Sequence, residues 1–144
     1  KVCALIPARL NSVRFPGKAL KQIDGIPMVV RVLAAARNSG VFDAVYAATD
    51  SPEIAAVCQT YGFEAVFTSH SHQNPTSRIQ EAVTILEDSK SASSRKFDFY
   101  AMIGGDEPLL TQLQTTYSIH HLTSGNTPLC NHFIVHVHWF SGFV

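Results

Sequence analysis

An α/β fold with a mainly parallel sheet, Rossmann-like and three-layered, is predicted by three features of this 144-residue sequence. Short apolar runs recur along the first hundred residues without a polar face, as strands covered on both sides do. Between them lie stretches with apolar residues at helical spacing. Start and stop residues punctuate the stretches where helices would begin and end. In such sheets ligands bind beyond the carboxyl ends of the strands.

The elements follow in order. Val2–Ile6 is apolar and meets Pro7, which predicts a buried strand stopped by the proline. Pro27–Asn38 places Val29, Val32, Leu33 and Ala36 on one helical face, with Pro27 at the start and Gly40 past the end. Ala44–Thr49 is a second buried strand. Asp50 stands three residues before Glu53, with Pro52 between them, and predicts a capping-box start with Asp50 as the cap. That helix carries Ile54, Val57, Cys58 and Tyr61 on one face, and Gly62 closes it. Glu64–Thr68 is a third strand, and a polar loop leads to a helix over Ser77–Glu87 with Ile79, Val83 and Leu86 inward. The run "DSKSASSRK" is a surface connection, Phe97–Ile103 a fourth strand, and "GGDEP" the turn at its end. Past Thr123 the rhythm is lost, so residues 1–122 are read as one α/β domain and 123–144 as a divergent tail.

Composition narrows the function. Apolar residues make up 46% and charged residues 15%, which is globular rather than disordered. The formal net charge is zero, against a general nucleic-acid binder with its basic face. No apolar run is long enough for a membrane span, so no membrane insertion is expected and the cytoplasm is the expected location. Cys3, Cys58 and Cys130 are odd in number and lack a CxxC spacing; they read as buried free thiols of a reducing compartment.

An anion must then be met by a local cluster, and "PARLNSVRFPGK" supplies one. Of 11 lysines and arginines in the chain, Arg9, Arg14 and Lys18 fall in one proline- and glycine-broken loop beyond the first strand. With the Ser12 hydroxyl and Gly17, they make a set suited to a polyphosphate. The loop has neither the GxxxxGK[ST] order nor GxGxxG, so it is not one of the two common phosphate loops.

The stretches "IPARLNSVRFPGKAL", "GIPMVVRVLAAA", "VYAATD", "GFEAVFTSHSHQNPTSRIQEAV" and "GGDEPLL" carry a resemblance over residues 1–110. The chain resembles the sugar nucleotidyltransferases that activate acidic sugars with CTP, above all the 3-deoxy-manno-octulosonate cytidylyltransferase (CMP-Kdo synthetase) family. Sialic-acid cytidylyltransferases share the first loop more loosely. The resemblance implies a nucleotidyltransferase fold, apparently truncated, and transfer of CMP from CTP to an acidic sugar such as Kdo with release of pyrophosphate. It implies that Arg9, Ser12, Arg14 and Lys18 bind the triphosphate, that Thr76 and Arg78 help hold the nucleotide, and that Asp106 binds Mg²⁺, with Glu107 and Pro108 completing its turn. Lys18, Arg9 and Asp106 are the implied catalytic set, and a homodimer is the usual assembly. A hard cation with carboxylate and phosphate oxygens suits this chemistry.

The match also departs from the family's pattern. Gly104 stands where a glutamine is usual, Pro75 replaces a glycine, and Ser77 replaces an acidic residue. No Asp or Glu follows Glu107, so a second carboxylate ligand is absent from the tail. Two rival readings stand beside the transferase. One is a non-catalytic nucleotide-binding or interaction module derived from the same fold. The other is a zinc enzyme using His132, His136 and His138, which alternate onto one face of a strand near Cys130. His70, His72, His120 and His121 are read as surface polar residues, and Asp50 as a helix cap only.

Overall fold

A computed structural model describes residues 1–11, 15–88 and 97–105 of the chain. Six strands and three α-helices are present there. They are β1 (Val2–Ala8), β2 (Gln22–Ile23), β3 (Ile26–Pro27), α1 (Met28–Asn38), β4 (Ala44–Thr49), α2 (Pro52–Thr60), β5 (Glu64–Phe67), α3 (Pro75–Asp88) and β6 (Phe99–Met102). A 3₁₀ turn, Lys18–Leu20, precedes β2.

Four strands form one parallel sheet in the order β5-β4-β1-β6. The chain moves outward from β1 to β4 to β5, then returns across both to place β6 on the far side of β1. Right-handed crossovers turn that reversal into a change of face. Accordingly α1 and α2 cover one side of the sheet, with Val29, Val32, Leu33, Ile54 and Cys58 packed on Ala4, Ile6 and Ala47. On the other side α3 lays Ile79, Ala82 and Val83 against Cys3, Leu5, Tyr46, Val66 and Met102. Successive residues of β1 thus enter opposite cores, and the strand shows no polar face because neither side meets water.

β1 does not stop at Pro7, as the sequence reading has it, but continues to Ala8. It pairs with β4 as far as Ala8↔Thr49, yet with β6 only to Leu5↔Met102. The Leu5 carbonyl accepts from Ile103 N at 3.0 Å, so the odd-numbered residues of β1 turn their backbone groups toward β6. Pro7 is the next on that side and has no N–H to give. The β6 ladder ends there, while the β4 ladder, served by even-numbered residues, runs on.

The helix starts also correct the sequence reading. Ser51, not Asp50, caps α2: its Oγ accepts from Ile54 N at 3.3 Å, and Pro52 occupies the first helical position. α3 begins two residues before the predicted Ser77. Asn74 caps it by accepting from Ser77 N at 2.8 Å, and Pro75 takes the first position, where a backbone N–H has no helical partner. The small β2–β3 hairpin was not predicted, although Asp24-Gly25 between two isoleucines is its signal. Both turn residues have positive φ, 49° and 75°, as a two-residue hairpin turn requires.

Cys3 and Cys58 are buried and unpaired, in line with the expectation; burial pushes the Cys3 thiol up to about 12 and the Cys58 thiol up to about 11. Cys130 and the proposed boundary at residue 122 lie outside the described residues.

Candidate functional site

A parallel sheet whose strand order reverses beside β1 opens a crevice between the carboxyl ends of β1 and β6. The two segments singled out by sequence, the loop after β1 and the turn after β6, start from those ends. Their backbones touch at once: a Cβ added to Gly105 would lie 2.5 Å from the Pro7 carbonyl oxygen. Only glycine lets the two chains approach so closely.

The loop after β1 is closed by its own backbone. Gly17, at φ 71°, donates to the Leu10 carbonyl at 2.8 Å, and Lys18 N reaches the Phe15 carbonyl at 3.2 Å. This bond draws Arg9 and Lys18, nine positions apart in sequence, to the two feet of one loop. Lys18 is half-buried in the 3₁₀ turn, and Arg9 is exposed. Phe15 at the tip is 44% exposed and carries the Lys21 ammonium over its ring at 4.6 Å. Ser12 and Arg14 lie outside the described residues.

The third stretch, between β5 and α3, meets the first. Arg9 Nη1 lies 3.5 Å from the Gln73 carbonyl oxygen, a long contact across 64 positions of sequence. Thr76 sits half-buried in the first turn of α3. Arg78 is placed differently. Only 3% exposed, it directs Nη1 to Thr68 Oγ1 at 2.6 Å and Nη2 to Asp50 Oδ2 at 3.2 Å. One guanidinium therefore ties α3 to the carboxyl ends of β4 and β5.

Asp50 is consequently more than a residue near a cap. Its carboxylate receives Arg78 and stands 3.1 Å from the Nδ1 of the exposed His70. Burial alone would raise its pKa, but the Arg78 charge, with hydrogen bonds from the backbone, Arg78 and His70, holds it below the usual aspartate value. Pro52 at the first helical position was the sequence signal for Ser51 as cap, and it would have freed Asp50 for this role. His72 corrects a further expectation. Its side chain is 16% exposed rather than a surface group, and it is bound to Glu81 and Ser77.

A cleft of about 350 Å³ lies at the opposite edge of the sheet, where β4 and β5 begin, lined by Arg37, Phe42, Asp43, Tyr46, Phe63 and Glu64. It shares no residue with the loops above. Among the described residues no three His, Cys, Asp or Glu side chains gather as a metal-binding group, and no helix is long and apolar enough to cross a membrane. Asp106, Glu107, Pro108, His120, His121 and the proposed zinc set His132, His136 and His138 all lie outside the described residues.

Comparison with known proteins agrees with this architecture. The family model for cytidylyltransferases matches residues 3–137. The 3-deoxy-manno-octulosonate cytidylyltransferase of Nitratiruptor sp. is 39% identical over 127 residues, covering 88% of this chain and 49% of that protein. Its counterpart in Neisseria meningitidis serogroup A is 53% identical over 83 residues, 58% of this chain and 32% of the relative. Among solved structures, a CMP:2-keto-3-deoxy-manno-octonic acid synthetase complexed with CTP superposes with a TM-score of 0.72 at 29% identity, over 86% of this chain and 48% of that one. A nucleotidyl transferase from Methanothermobacter, at 14% identity and a TM-score of 0.66, shares the fold. The chain belongs to the cytidylyltransferase family and spans about half the length, or less, of the curated relatives it matches.

Proposed function

We propose that this member of the cytidylyltransferase family binds CTP in the crevice between β1 and β6 and transfers CMP to an acidic sugar such as Kdo. The observation that supports this most is the reversal of strand order beside β1, with Gly105 pressed against Pro7. It gives the loop bearing Arg9 and Lys18 and the turn leading to Asp106 a common origin. The resemblance of the chain to CMP-Kdo synthetases names the nucleotide and the sugar class.

In this reading the triphosphate lies along the loop after β1. Arg9 and Lys18 meet its oxygens at the loop's two feet, with Ser12 and Arg14 between them. Cations fixed in place before the reaction hold the α-phosphate for in-line attack and offset charge as it shifts toward the leaving group. The anomeric hydroxyl of the sugar forms a new P–O bond at the α-phosphorus, the bond to the β-phosphate bridging oxygen breaks, and the hydroxyl proton passes to solvent or buffer. Pyrophosphate departs along the cationic loop.

Magnesium suits the donor chemistry, with the Asp106 carboxylate as the protein ligand and phosphates and water completing the shell. The close approach of Gly105 to Pro7 would hold that turn at the phosphate end. When bound, the ion neutralises phosphate oxygens. Thr76, in the first turn of α3, faces the nucleotide in this reading, and Arg78 supports that helix from beneath rather than touching the ligand. The expected location is the cytoplasm.

A pyrophosphate-release assay with each of the four nucleoside triphosphates and a panel of acidic sugars tests the reading. Release with CTP and one sugar class, dependent on magnesium, is the expected result. One alternative is a module of the same fold that binds CTP without turnover, and the same assay separates the two. CTP binding without pyrophosphate release would establish that alternative, and absence of CTP binding would end both.

A further inference from the structure

The loop between β5 and α3 contains a device that the nucleotide reading does not use. Glu81, two turns into α3, reaches back over the loop, where one carboxylate oxygen accepts from Ser69 N at 2.8 Å and also from the ring Nε2 of His72. The other ring nitrogen of His72 is 3.0 Å from Ser77 Oγ. Ser77 in turn holds Asn74 twice, through its N–H on Asn74 Oδ1 and its hydroxyl on the Asn74 carbonyl at 3.1 Å. Residues 69, 72 and 74 are thus each fastened to the first two turns of one helix.

Gln73 sits between the last two of these anchors, and its carbonyl is the group that Arg9 meets. Nothing about Gln73 itself fixes that carbonyl, since the residue is exposed. Its direction is set by its fastened neighbours. The hydrogen bonds from His72 and Ser69, with smaller help from the charge of Arg78 on the same helix, hold the Glu81 carboxyl below the usual glutamate range.

We propose that His72 and Glu81 are positioning residues for the triphosphate site: their clasp holds the loop on the course that aims the Gln73 carbonyl at Arg9, and so directs that guanidinium. The proposal rests on the CTP reading above. A loop that follows this course only a fraction of the time lowers the apparent affinity by that fraction.

Glu81→Ala and Glu81→Gln in the full chain, with CTP binding followed by calorimetry, provide the test. Glutamine keeps a carbonyl oxygen able to accept from both donors, and alanine keeps none. Glu81→Ala is expected to weaken CTP binding about tenfold and Glu81→Gln less than about threefold, as the loop loses or keeps its course. The Glu81 side chain is 34% exposed, so the variants retain the fold, which a thermal melt checks. His72→Ala should reproduce the tenfold loss, and the double variant should add nothing further, because the pair acts as one unit. Unchanged affinity in Glu81→Ala, equal losses in both Glu81 variants, or additive losses in the double variant would each overturn the proposal. If the unaltered protein binds no CTP, the nucleotide reading itself has failed, a result distinct from any of these.

Discussion

Arg9 and Arg78 are the same residue type at the same edge of one sheet, but their guanidinium groups meet different surroundings. Arg9 is exposed, at the foot of a loop closed by backbone bonds, with a 3.5 Å contact to a carbonyl. Arg78 is buried and held by Thr68 and Asp50. The first loop leaves its charge facing outward, steered by one carbonyl and open to solvent. The second loop turns its charge inward and becomes rigid. Under the proposed function, a site that accepts a triphosphate and still holds its shape has use for both kinds of arginine.

The sharpest way to break this comparison is to exchange the expected phenotypes. Arg78→Ala removes one partner of a buried ion pair and leaves Asp50 with only the exposed His70 and a backbone bond, and breaking such a pair typically destabilises by about 3–5 kcal/mol. A large fall in urea midpoint is expected, and a variant that keeps its stability while losing only CTP affinity would make Arg78 a ligand contact after all. Arg9→Ala and Lys18→Ala are expected to do the reverse. Loss of a charge-assisted hydrogen bond weakens CTP binding about ten- to a hundredfold, while the thermal melt stays within a few degrees, roughly the range of surface substitutions. Calorimetry and melting together distinguish the two arginines.

A third substitution tests whether the two loops share one crevice. Gly105→Ala drives a methyl group against the Pro7 carbonyl, and forced packing of that kind costs about 1–3 kcal/mol. Stability and CTP affinity should both fall, because the turn leading to Asp106 is displaced from β1. Ser51→Ala is milder. Loss of the α2 cap costs about 1 kcal/mol, with nucleotide binding unaffected, and Asp50→Ala should be the more damaging of the two neighbours.

The smallest effect is a matter of pH. The folded Asp50 carboxyl, held below its ordinary value, takes up a proton less readily than in the unfolded chain, where the value is about 3.9. Its contribution to stability is complete above that value and disappears as the pH falls through the lower folded one. The stability gap between the unaltered protein and Asp50→Asn should therefore close below about pH 4 in acid-unfolding curves, given that ordinary value. A gap that stays constant through that range would show that charge does not hold Arg78 in place.

Much of this architecture was legible from local pattern. Val2–Ile6, Ala44–Thr49 and the face formed by Val29, Val32, Leu33 and Ala36 needed only apolar runs and helical spacing, because those patterns arise within a few residues. The first loop was legible as a cluster of cations because charge clustering needs no coordinates. Asp50 was misread because a carboxylate three residues before Glu53 fits a capping box, although Pro52 already made Ser51 the cap. His72 was misread because a histidine in a polar loop carries no mark of the glutamate nine positions on.

By itself, then, the sequence determined the four strands of the parallel sheet, the helices, the cationic loop and the kinship with cytidylyltransferases. These depend on which residues are near one another along the chain. Only the tertiary structure decided that β6 lies beside β1, that Gly105 abuts Pro7, and that Arg78 faces Asp50 while Arg9 faces outward. Those facts depend on how a right-handed crossover folds back over a sheet and on which groups it removes from water. Neither the fold-back nor the burial leaves a local trace in the chain.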